Sequence, residues 1–72
     1  MAAKRKERRR LRAEQKRMQT DLQTIRRALE QSYIRFNELQ DPMQLDACIY
    51  EINALRAKYS CAVHALRTLP QA

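Results

Sequence analysis

The chain is expected to be all-α: an antiparallel two-helix hairpin led by a basic N-terminal arm and dimerising into a four-helix bundle. Three observations predict this. The 72 residues contain no Gly, and their apolar content is mainly Ala, Leu, Ile and Met, all good helix formers. Apolar positions recur at alternating spacings of three and four in two separate stretches. Between those stretches stands Asp41-Pro42, a helix-start signal placed where the first stripe ends.

The arm, residues 1–17, holds the charge. Lys4, Arg5, Lys6, Arg8, Arg9, Arg10, Arg12, Lys16 and Arg17 face only Glu7 and Glu14, so this segment alone carries the net charge of +7. From Met18 onward six bases meet six acids and the remainder is neutral. The arm contains no helix breaker, but Leu11 is its single large apolar anchor and its cations repel one another. A frayed extension, partly helical or disordered, is the expectation.

Residues 18–69 should form the hairpin. Helix 1, about 18–39, carries the stripe Met18, Leu22, Ile25, Leu29, Phe36 and Leu39, with Ser32 in the remaining slot. The turn, 40–42, follows because Asp41 can cap a helix and Pro42 suits its first position. Gln44, three residues after Asp41, can return a bond to the cap's own N–H. A residue before proline also avoids helical geometry, so one helix must stop where the other starts. Helix 2, about 43–69, runs Leu45, Cys48, Ile52, Leu55, Tyr59, Ala62, Leu66 and Leu69. Stripes of similar length suit side-by-side, coiled-coil-like packing.

Helix 2 has a second stripe. Ala47, Tyr50, Ala54, Ala57 and Cys61 repeat the same spacing on the opposite face. A helix apolar on two sides is normally sandwiched between neighbours. A lone hairpin this small also buries little apolar surface. These residues are therefore the expected interface of a homo-oligomer, with Tyr50 as its anchor.

Chemistry of other kinds finds little purchase. Cys48 and Cys61 lie thirteen residues apart, about 20 Å along one helix, too far for an internal disulfide. Free thiols are expected, in a reducing cytoplasm. Cys61 and His64 share a face, yet two ligands do not make a metal site. No carboxylate pair has a partner nucleophile, and a two-helix hairpin offers no cleft that excludes water. Neither a cofactor nor enzymatic activity is expected. No apolar run approaches the ~20 residues of a membrane span, and no signal-peptide core follows the basic start.

The basic arm is the strongest functional signal. Such Lys and Arg density neutralises phosphates and releases counterions, giving salt-sensitive affinity for DNA, RNA or the ribosome. With no aromatic residue in the arm to stack on bases, sequence preference should be weak. An acidic protein is the other partner such an arm could take. The leading expectation is a non-enzymatic accessory protein with a nucleic-acid-binding arm and a self-associating hairpin. The alternative is a protein–protein adaptor using the back face of helix 2.

The stretch from Leu39 to Leu66 also resembles the YaaL-like family of small, uncharacterised proteins of Gram-positive bacteria. The resemblance rests on Asp41-Pro42, Leu45-Asp46-Ala47, Ile49-Tyr50-Glu51-Ile52-Asn53-Ala54 and Tyr59. It implies a bacterial, cytoplasmic two-helix protein, and it brings no established activity or functional residue. The basic arm lies outside the matching stretch.

Overall fold

The computed structural model describes residues 2–70 and consists of two α-helices, α1 (Ala2–Glu38) and α2 (Pro42–Thr68), packed against each other. They form a rod 61 Å long and 15 × 12 Å in section. Met1, part of the basic segment, lies outside the described residues.

The turn is built as its chemistry requires. Asp41 sits in extended geometry (φ −69°, ψ 123°), and its carboxylate accepts from the Met43 N–H at 2.9 Å. Its backbone carbonyl accepts from the Leu45 N–H, starting the helical ladder, while Pro42 gives up no needed donor. The Gln44 side chain makes no return bond to the Asp41 N–H among the described residues, so the cap is one-sided. At the other end Leu69 is again extended (φ −68°, ψ 133°). Pro70 forces this by disfavouring helical geometry in the residue before it. Helix 2 thus spans Pro42–Thr68 rather than 43–69, a shift of one residue at each end.

Helix 1 departs further from its expected start. It does not begin at Met18: the helix runs unbroken from Ala2. Between Ala2 and Gln19 there is no Gly, Pro or β-branched residue, and this propensity outweighs the mutual repulsion of the cations. Glu14 helps locally, pairing with Arg17 at 3.7 Å one turn on. Tertiary packing helps too. Leu11, Glu14, Gln15 and Met18 are all half-buried. The register explains this, because cross-helix bonds join Ser32 to Cys48 and to Glu51. Counting outward from those pairs brings Leu69 level with Leu11. The hairpin therefore closes from Leu11, and only Ala2–Arg10 extends past α2, by roughly 13 Å.

The core is thin. Cys48 and Ile52 are its buried apolar residues, and the seam partners Leu22, Ile25, Leu29, Phe36, Leu55, Tyr59 and Leu66 are half-buried. At the middle stands Ser32, 0% exposed. Its carbonyl accepts from the Cys48 thiol at 3.3 Å, and its hydroxyl donates to Glu51 at 3.3 Å. Arg35 reaches across to the same carboxylate at 2.8 Å and donates to the Ser32 hydroxyl at 3.3 Å. Two small side chains face each other here and let the backbones approach, and an ion pair closes over them.

Candidate nucleic-acid interface

A helical arm gives its cations defined directions. At about 100° per residue, Lys4, Arg5, Arg8, Arg9, Arg12 and Lys16 fall within an arc of about 140°. They form one face about 18 Å long. Lys6, Arg10 and Arg17 form a second ridge beside it. The sector without bases holds Glu7, Leu11, Glu14 and Met18. Of these, Leu11, Glu14 and Met18 are half-buried, so this is the sector turned towards α2. Glu14 thus lies on the packed side, Glu7 lies in line with it beyond the end of α2, and the bases lie outside this sector.

All nine bases are exposed, and of the nine only Arg17 stands in an ion pair with a described residue. The remaining cations carry no intramolecular neutralisation. Their position adds to this. Lys4, Arg5 and Lys6 occupy the N-terminal turns, where the helix dipole already presents partial positive charge, and the first turn holds no acidic residue. An arriving anion would relieve both sources of repulsion. The first aromatic residue in the chain is Tyr33, far along α1, so the face offers charge and hydrogen bonds without stacking.

The second candidate surface lies on α2. Ala47, Tyr50, Ala54, Ala57 and Cys61 are all exposed, and Tyr50 is 76% exposed. Sequence reasoning placed them on one face but missed its head, Met43, which continues the spacing and is 81% exposed. The signal was available in the four-residue step from Met43 to Ala47. With Tyr33, Ile34 and Ile49, the exposed large apolar residues among the described residues all fall between positions 33 and 50. They gather at the turn end of the rod, while the net charge gathers at the other end.

Both cysteines are free thiols, Cys48 buried and Cys61 exposed. No cluster of three His, Cys, Asp or Glu side chains suited to a metal ion occurs among the described residues, and neither helix is long and apolar enough to cross a membrane. The depressions along the rod are open ones, such as that lined by Tyr59, Ser60, Val63, His64 and Arg67.

No protein-family model, curated protein or solved structure matches this chain.

Proposed function

We propose that this is a non-enzymatic binding protein whose basic end of α1 docks on the phosphates of nucleic acid, alone or in a ribonucleoprotein, without strong sequence preference. The observation that carries the reading is the face of six exposed, unpaired cations on α1, four of them (Lys4, Arg5, Arg8 and Arg9) on the turns that project past α2. A bare helix is about 10–12 Å across, which matches the width of the B-form major groove. Phosphate contacts supply affinity and little sequence information, in keeping with the absence of aromatics. The hairpin acts as the scaffold and self-associates through the exposed back face of α2 into a four-helix assembly, which compensates for the thin core. The resemblance to YaaL-like proteins supports placing this in a bacterial cytoplasm.

Fluorescence anisotropy against mixed-sequence duplex DNA and single-stranded RNA, at several salt concentrations, tests the arm. Replacing Arg8, Arg9 and Arg10 with Gln should weaken binding and flatten its salt dependence while helicity persists. No binding near 50 mM salt would sink the reading. The exposure of Met43 and Tyr50 favours a second one, an adaptor that presents this face to a different protein. In that case partner binding survives the triple change and fails on substitution of Tyr50.

A further inference from the structure

The second stripe of α2 reads the same from either end. Met43, Ala47, Tyr50, Ala54, Ala57 and Cys61 are spaced four, three, four, three and four, symmetric about the level of Ile52. We propose that a second copy docks on this stripe antiparallel, with the two-fold axis crossing α2 at Ile52. The inference rests on the self-association proposed above and specifies its geometry.

Size complementarity supports this arrangement. Antiparallel about that axis, Tyr50 lies against the partner's Ala54, Met43 against the partner's Cys61, and Ala47 against the partner's Ala57. Each large side chain meets a small one, so the two helices keep an even separation. A parallel pair in register would stack Tyr50 on Tyr50 and Met43 on Met43, with Ala on Ala between them. The helices would be forced apart at two levels and leave gaps at the others.

The flanking polar residues are compatible with the same orientation. In a parallel pair the residue before one stripe position faces the residue five further along the partner. That would set Asp46 against the partner's Glu51, twice per dimer. In the antiparallel pair Asp46 shares a flank with the partner's Ser60, and Gln44 shares the other flank with the partner's Lys58. Asn53 meets its own copy across the axis, where the two amides can exchange hydrogen bonds. Glu51 also meets its own copy, but each carboxylate is already held by Arg35 at 2.8 Å.

The consequence is a double-ended molecule. The axis at Ile52 is level with about residue 29–31 of α1, so each arm tip lies roughly 40 Å from it. The two basic ends point in opposite directions, about 80 Å apart. Such a dimer binds two nucleic-acid segments, or one segment bent round it.

Met43→Cys in the full-length chain tests the register. Sedimentation at about 100 μM should show a dimer for the native chain, and mild oxidation should leave that dimer uncrosslinked, because its Cys61 side chains lie far apart. The variant should oxidise to a covalent dimer in which peptide mapping links position 43 to Cys61 of the other copy. A second pair of variants reads the size match. Ala54→Tyr should weaken the dimer at least tenfold, and adding Tyr50→Ala should restore it. A monomer at every concentration would overturn self-association and this proposal with it. A dimer joined 61 to 61 or 43 to 43, or not joined at all, would overturn the antiparallel register alone.

Discussion

The Cys48 thiol donates to the backbone carbonyl of Ser32, 3.3 Å away on the other helix. A side chain that short reaches the opposite backbone only where the helices approach closely, and both residues are buried there. Two consequences follow for stability. Ser32→Leu overpacks the site and should cost about 1–3 kcal/mol, although Leu would look like the natural occupant of a seam position. Cys48→Ala should keep the fold and lose about 1 kcal/mol, since the hydrogen bond is weak and the cavity small. Urea unfolding followed by circular dichroism measures both. A stabilised Ser32→Leu variant would show that the helices are not so close.

Arg35 and Glu51 close over this point, but their side chains are 55% and 49% exposed. Solvent screening therefore limits their coupling to about 0.2–1 kcal/mol. A double-mutant cycle with Arg35→Met and Glu51→Ala should return a value in that range. The coupling should shrink at high salt, and a value above about 2 kcal/mol would mean the pair is far better shielded than its exposure indicates.

Asp41 carries the start of α2 by itself, because Gln44 makes no return bond. Asp41→Ala should therefore lower stability by about 1 kcal/mol, whereas Gln44→Ala should change it by a few tenths at most. Equal losses from the two variants, again from urea midpoints, would restore the reciprocal cap.

The arrangement of the arm separates charge from geometry. Arg5, Arg8 and Arg12 share the broad cationic face, while Lys6, Arg10 and Arg17 lie on the side ridge. Each triple change to Gln removes three charges. If about five cations of the broad face and its rim meet phosphates, log K should fall with log salt at a slope of about −4.5 on duplex DNA. The first triple variant should flatten that slope by nearly three and the second by one or less. Equal losses would mean that the arm acts as an undirected cloud of charge.

Both seams and the turn were legible in the sequence because each rests on a local rule. Apolar spacing displays a helical face without knowledge of its partner, and Asp41-Pro42 punctuates the chain unaided. The start of α1 was not legible in the same way. Propensity and repulsion oppose each other in residues 2–17, and the packing that supports Leu11 depends on the reach of α2. Ser32 read as a gap in a stripe because its partners, Cys48, Glu51 and Arg35, lie sixteen or more residues away or on an exposed flank. The cations of the arm were visible as a list; their separation into a face and a ridge needed the helix to continue through them.

The turn of three residues has a further effect, on the order in which the molecule assembles. Pairs that face each other near it, such as Arg35 and Glu51, are sixteen residues apart in the chain. At the far end Leu11 and Leu69 are separated by about sixty, and the entropy of closing a loop grows with its length. The hairpin therefore zips from Asp41 outward, with the clasp at Ser32 formed early and the basic end docked last. Opening runs in reverse, so amide hydrogens in Lys4–Arg17 and Leu66–Leu69 should exchange first and those around Ser32 and Cys48 last. The end of the rod proposed to meet nucleic acid is thus the end that the protein itself leaves most free to move.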